Sequence, residues 1–307
     1  TYPSYDLAKL TEPGYYSQLA NDKANPLFNR AFQGAFAPGS IFKPLVACGA
    51  LEEGVLTTED KIKCVGIYHY PGHNFTTKCL GVHGNADLNY AMAKSCNVYF
   101  SEAGRRLGIE NMNLYAKRFG LGVKTGIELT ETTGILAGPE YSRSIGSRWS
   151  NLVTIKAAIG QSDNQFSPLQ LATYVATIAN GGNRYRPHLI RKITDYRREN
   201  IVMENNPDSP ELVEPAGVSE EHLNMVKTAM RQVVLSGTAT NFNGYMVPVA
   251  AKTGTAQNNG SDHTTFICFA PYENPEIAIA VVVEHGAKGM VSKIVAKDIM
   301  DAYFSNK

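Results

Sequence analysis

The sequence predicts an α/β protein in which helices flank an antiparallel sheet and an all-helical lobe stands beside it. Three observations carry this. The last third alternates as strands over about 248–256, 264–270 and 276–284, and Pro271-Tyr272-Glu273-Asn274-Pro275 joins the last two as a hairpin. The middle of the chain is built from capped helical segments. An apolar content of 43% over 307 residues leaves ample core for one large two-lobed domain. The expected division is a single unit over 1–307, with a sheet lobe over about 1–38 and 206–307 and a helical lobe over about 39–205.

Each helix is read from its ends. Residues about 39–53 form a helix closed by Gly54, with Ser40 at its N-terminus, where the macrodipole favours developing negative charge. Residues 87–94 and 98–107 read as helices on either side of Ser95-Cys96-Asn97. Ser167-Pro168 to Asn180-Gly181 has a polar cap, a proline in the first turn and a glycine beyond the end. Ser219, followed by Glu220 and Glu221, opens a helix running to about Leu235. A terminal helix over about 291–303 carries Val291, Ile294, Val295 and Ile299 at helical spacing. The opening residues read as the middle of a strand, so the chain is expected to be cut from a longer protein.

A formal net charge of +1 gives no electrostatic footprint for nucleic acid and no polybasic membrane patch. No run of 18 apolar residues exists to span a bilayer, and no signal peptide is evident.

The chemistry begins at Ser40-Ile41-Phe42-Lys43, the only S-x-x-K in the chain, set between Pro38-Gly39 and Pro44. An offset of three on a helix puts both side chains on one face, where a lysine can take the serine's proton. It must be neutral to do so, which calls for burial or a second cation nearby. Alone the pattern is weak. A chain of this composition holds roughly one such match by chance, and a helix-capping serine followed by a solvated lysine explains it equally well. Ser95-Cys96-Asn97 and Lys252-Thr253-Gly254-Thr255 complete the set. S-x-x-K, S-x-N and K-T-G in that order mark the penicillin-recognising serine acyl-enzymes. The sequence resembles the transpeptidase domain of a class B penicillin-binding protein along essentially its whole length. Tyr2-Pro3-Ser4-Tyr5-Asp6, Asn29-Arg30-Ala31, Ile159-Gly160-Gln161, Ser167-Pro168-Leu169-Gln170-Leu171 and Asn180-Gly181-Gly182 carry the likeness between and around the motifs.

Two decoys compete. Lys124-Thr125-Gly126 follows a loop after a short helix, and Ser162-Asp163-Asn164 leads into the next helix cap. A working K-T-G needs a strand beside the cleft, which Lys252 has and Lys124 lacks. Ser95 also has the spacing of the class B pattern. Glu128 and Glu131 have no local signature of a glutamate that activates deacylating water.

The resemblance implies the penicillin-binding transpeptidase and serine β-lactamase-like fold, with a five-stranded antiparallel sheet. It implies a peptidoglycan D,D-transpeptidase: Ser40 is acylated, Lys43 is the base, Ser95 relays a proton to the leaving amine, and Asn97 holds Lys43 and the substrate amide. Lys252 supplies positive charge, with Thr253, Gly254 and Thr255 binding the donor's terminal carboxylate. Backbone N–H groups of Ser40 and Thr255 form the oxyanion hole. A carboxypeptidase or β-lactamase, and a β-lactam sensor that is no enzyme, use the same Ser40 and Lys43 and remain open. Implied partners are peptidoglycan stem peptides, β-lactam antibiotics and, in the full-length form, a cell-wall glycosyltransferase and morphogenesis proteins; nucleic acid and an organic cofactor are not implied. The implied location is the extracytoplasmic face of the bacterial cell membrane, through an N-terminal anchor.

Five cysteines remain. Cys64, Cys79, His83 and Cys96 make three thiolates and an imidazole, a closed tetrahedral set for structural zinc. The first three lie on one insertion, Lys61 to Gly84, and Cys96 is the middle residue of S-x-N. Some class B penicillin-binding proteins carry zinc near that motif. His69 or His73 could replace His83, and a Cys64–Cys79 disulfide or free thiols are the alternatives. Cys48 and Cys268 read as small core residues.

Overall fold

The computed structural model describes residues 1–258, 260–286 and 289–305. Its principal helices are α1 (Lys43–Glu52), α2 (Leu88–Ala93), α3 (Asn97–Arg118), α4 (Asn151–Ala158), α5 (Pro168–Ala179), α6 (Glu220–Leu235) and α7 (Met290–Phe304). The central sheet consists of β1 (Ala250–Ala256), β2 (His263–Ala270) and β3 (Ile277–Val283), in the spatial order β3-β2-β1 and antiparallel throughout.

The sequence builds this sheet through its middle strand. From Thr264 to Ala270 every residue of β2 is buried, so the strand is covered on both faces and reads as a continuous apolar run. Its register places Ile267 opposite Lys252, Phe266 opposite Thr253 and Thr265 opposite Gly254. Helices α5 and α7 both pack on β2 and β3, while α6 packs on β1 and α2. α1 is buried from Lys43 to Leu51 and lies against α3 and α6, which is the all-round burial of a core helix.

The fold class agrees with the sequence, but the strand count does not. Among the described residues the central sheet has three strands instead of five, and the other strands form two-stranded ribbons. The opening residues are no strand: Asp6 accepts a hydrogen bond from the Ala8 N–H and caps a 3-10 turn, Leu7–Thr11, followed by a short helix, Tyr15–Asn21. α3 continues past the expected end near 107, with an interruption at Gly108. The insertion 61–86 folds as two ribbons, Ile62–Cys64 with Gly84–Ala86 and Ile67–His69 with Thr76–Lys78. No helix among the described residues is long and apolar enough to cross a membrane.

Candidate active site

Ser40 sits in a 3-10 turn, Gly39–Phe42, that runs into α1 at Lys43. In a 3-10 turn the side chains at i and i+3 eclipse, so Ser40 and Lys43 leave the backbone on one side. Gly39 has φ +59°, and a Cβ there would collide with the Thr255 carbonyl. The serine turn therefore meets the K-T-G strand backbone to backbone. Gly39 N–H also donates to the Gly160 carbonyl (2.9 Å), and Gln161 Nε2 donates to the Thr255 carbonyl (3.2 Å). Three distant segments are thus pinned around one serine.

Lys43 is wholly buried. Its Nζ lies 2.8 Å from the Ser95 carbonyl oxygen, 2.7 Å from Asn97 Oδ1 and 3.1 Å from Ser95 Oγ. Lys252, equally buried, reaches the same Ser95 Oγ (3.0 Å) and the Thr253 carbonyl (2.9 Å). One hydroxyl therefore bridges two lysines. Ser95 has φ +53°, a conformation that non-glycine residues rarely adopt, and this turn is what aims its hydroxyl between them. Burial pulls the Lys43 pKa down to about 7, against the opposing pull of the Cys96 and Cys79 charges. Burial also drives Lys252 well below the ordinary lysine range, and the charge of Lys43 adds to it. Of the two causes the sequence offered for a neutral Lys43, burial or a second cation, burial is the one that lowers its pKa.

The cleft beside this network has a volume of about 330 Å³ and is lined by Ser40, Ser95, Asn97, Gln161, Thr253 and Thr255. β1 is the edge strand of the central sheet, so its outer backbone groups face the cleft and not another strand. Gly254 turns the other way. Its missing side chain makes room for Thr265, whose hydroxyl donates to the Pro38 carbonyl (2.8 Å) just before the serine turn. The cleft also receives Leu80 from the cysteine-bearing insertion, Asp262 from the β1–β2 connection and Thr238 from the turn after α6. No pattern in the sequence marked these three: Asp262 and Thr238 come from loops of ordinary composition, and the insertion that carries Leu80 was marked by its cysteines and not by this leucine.

The decoys lie elsewhere. Thr125 and Gly126 donate three hydrogen bonds to the Glu131 carboxylate, closing a structural loop. Asn164 is buried, accepting from Ala137 N–H and donating to the Ala157 carbonyl. Glu128 accepts from the Leu189 and Ile190 N–H groups.

Cys64, Cys79, His83 and Cys96 converge, their donor atoms all within 4.8 Å of one another. His83 Nδ1 is 3.5 Å from Cys64 Sγ and 3.5 Å from Cys79 Sγ, and Cys79 Sγ is 3.8 Å from Cys96 Sγ. A tetrahedral zinc with Zn–S of about 2.3 Å and Zn–N of about 2.0 Å requires S···N edges of about 3.5 Å and S···S edges of about 3.8 Å. The donor set fits that ion. His69 and His73 stand outside the group. All five cysteines are free thiols, so Cys64 and Cys79 form no disulfide. Cys96 has three attachments: its thiol joins the cluster, its sulfur caps α3 by accepting from Tyr99 N–H, and its neighbours Ser95 and Asn97 hold Lys43.

Comparison with known proteins places this architecture. The chain belongs to the penicillin binding protein transpeptidase domain family, whose model matches residues 5–301. It is 35% identical over 306 residues to the peptidoglycan D,D-transpeptidase MrdA of Acinetobacter baumannii, covering 93% of this chain and 45% of that one. The chain thus spans about half the length of the curated relatives it matches. Penicillin-binding protein A of Mycobacterium tuberculosis, solved as an imipenem acyl-enzyme, superposes with a TM-score of 0.85 at 26% identity, over 99% of this chain and 69% of that one. PBP2 of Helicobacter pylori, solved in complex with MreC, gives a TM-score of 0.79 at 27% identity, over 99% of this chain and 57% of that one.

Proposed function

We propose that this domain is a peptidoglycan D,D-transpeptidase that cross-links stem peptides through an acyl-enzyme on Ser40 and is inhibited by β-lactams. The observation that carries the reading is the hydroxyl of Ser95 set between two buried lysines at the floor of a cleft that also holds Ser40. A neutral Lys43 can donate to the Ser95 and Asn97 oxygens and still present a lone pair.

In the first half-reaction Ser40 Oγ attacks the carbonyl carbon of the donor's terminal D-Ala-D-Ala bond, and its proton passes to Lys43. The oxygen of the tetrahedral intermediate is held by the Ser40 and Thr255 N–H groups, the second of them on the edge strand. The proton returns through Ser95 to the departing amine, D-alanine leaves and an ester remains. In the second half, an amine of a neighbouring stem peptide attacks the ester, gives up a proton along the same path and takes over the acyl group. Ser40 is regenerated with its proton. Thr253 and Thr255, which line the cleft, bind the donor carboxylate, and an extended donor backbone adds to β1 as a further strand. Lys252, expected to supply positive charge there, is instead wholly buried with a lowered pKa and acts through Ser95.

Cys64, Cys79, His83 and Cys96 would hold a structural zinc. With four protein ligands it offers no open position for water, and what it supplies is order in the insertion and in the Ser95 turn. A cross-linking domain needs glycan strands made by a polymerising enzyme, so a glycosyltransferase is a natural partner of the full-length protein. The complex of the Helicobacter pylori relative with MreC supports morphogenesis proteins as a second class of partner. These substrates place the site outside the cytoplasmic membrane, which an anchor elsewhere in the protein would satisfy.

The test is native intact-mass spectrometry before and after exposure to benzylpenicillin. One stable adduct mapped to Ser40, and one zinc per untreated chain, is the expected result. Drug consumed without an adduct would mean a β-lactamase, and intact drug without an adduct would refute the acyl-enzyme reading.

A further inference from the structure

The turn after α6, Ser236-Gly237-Thr238-Ala239, belongs to none of the three motifs, yet it walls the cleft. Thr238 and Thr253 both line that cleft, and their hydroxyl oxygens are 2.6 Å apart. The turn is anchored from three directions. Lys94, the residue before Ser95, donates its ammonium to the Ser236 carbonyl (2.7 Å). Lys293, on α7, donates to the Thr238 carbonyl (3.2 Å). Ala239 N–H closes back onto the Val233 carbonyl (3.0 Å) at the end of α6. The two lysines also offset the partial negative charge that collects at a helix C-terminus, which would otherwise face the same cleft.

A hydroxyl carries one proton, so in a close pair only one member donates to the other. If Thr253 donates to Thr238, its lone pairs face the cleft and repel an anion there. If Thr238 donates to Thr253, the Thr253 proton is released toward the cleft, and accepting from Thr238 polarises Thr253 into a stronger donor. An anionic ligand selects the second arrangement and a neutral one selects neither.

We propose that Thr238 is a positioning residue for the acyl donor: its hydroxyl turns the Thr253 hydroxyl toward the donor's terminal carboxylate, so that carboxylate-ended peptides and β-lactam acids are preferred over uncharged analogues. The proposal rests on the transpeptidase reading, adding to it a residue that acts through Thr253 without touching the reacting atoms.

The experiment compares benzylpenicillin with its uncharged methyl ester on the wild-type domain, Thr238→Val and Thr238→Ser, with acylation resolved into apparent affinity and limiting rate. For the free acid, Thr238→Val is expected to lower acylation efficiency about fivefold to tenfold. The loss is expected in apparent affinity with the limiting rate unchanged, because the carboxylate is held equally before and during bond formation. The ester is expected to react with both proteins within about twofold, and Thr238→Ser to restore the free acid. An equal loss for acid and ester would mean that Thr238 merely supports the strand, and no loss with either would remove the role; each result overturns the proposal. An acid-specific loss that serine fails to restore would overturn it as well, since the hydroxyl would not be the cause. A wild-type domain that benzylpenicillin does not acylate at Ser40 would instead sink the transpeptidase reading, and this inference with it.

Discussion

Titrating the acylation rate tests the burial of Lys43 most directly. The base must be unprotonated to accept the Ser40 proton, and burial lowers its pKa from 10.5 to about 7. Activity is therefore present above about pH 7 and lost as pH falls through it. With a pKa near 7 the neutral fraction is about one tenth at pH 6 and about nine tenths at pH 8, a roughly tenfold rise followed by a plateau. A solvated lysine at its ordinary value would instead give a rise of about a hundredfold over the same interval, with no plateau before about pH 10. Stopped-flow acylation with a fluorescent penicillin between about pH 5.5 and 9 separates the two. A profile without a break between pH 6 and 8 would refute the assignment of Lys43 as the buried base.

Three further outcomes are expected. Cys96→Ser removes one donor of the cluster and loosens the Ser95 turn, so zinc content, melting temperature and acylation should fall together, the last by about tenfold; zinc loss with unchanged acylation would separate cluster from site. Gly39→Ala drives a methyl group into the Thr255 carbonyl, so acylation should drop about a hundredfold while far-ultraviolet circular dichroism is retained; near-normal acylation would show that the two backbones can part freely. Glu102 accepts hydrogen bonds from Arg105, Arg106 and Tyr68, which overcome its desolvation and hold its carboxyl at about 2 instead of 4.5. That stabilisation is complete above pH 4.5 and lost as pH falls toward 2. The arginines are one-third exposed, so Glu102→Gln should destabilise by only about 1–2 kcal/mol, read from urea unfolding at pH 7, with the difference shrinking as pH falls from about 4.5 through about 2.

What the sequence made legible depended on how local the signal was. α5 is announced by Ser167, whose hydroxyl receives the Gln170 N–H while the Gln170 side chain returns to the Ser167 N–H, a reciprocal cap written within four residues. α6 is announced by Ser219 in the same way, its hydroxyl receiving the His222 N–H. The ribbon strands Ile201–Glu204 and Lys192–Thr194 escaped notice because they are largely exposed on both faces and so lack the alternation that marks a half-buried strand. The opening segment misled because Tyr2 and Tyr5 are strand-favouring residues, whereas the Asp6 cap starts a 3-10 turn directly after them. At the site, residue types and spacing named Ser40, Lys43, Ser95, Asn97 and Lys252. They could not reveal that Ser95 stands between both lysines, because Lys252 arrives from 157 residues away. Likewise the choice of His83 over His69 and His73 is made by the ribbon pairing of Cys64 with Gly84, a tertiary register and not a spacing.

The exposed edge of β1 has a consequence for solubility as well as for chemistry. An open sheet edge is a template on which another molecule's strand can grow, and proteins commonly block such edges with charge, proline or a covering segment. In this protein the edge is recessed instead. The serine turn, the Ser95 loop and Gln161 face it across a cleft of about 330 Å³. Segments that cover an edge in this way act as the blocking charge or proline does elsewhere. The same cleft that gathers the reactive side chains therefore also shields the strand edge that they flank.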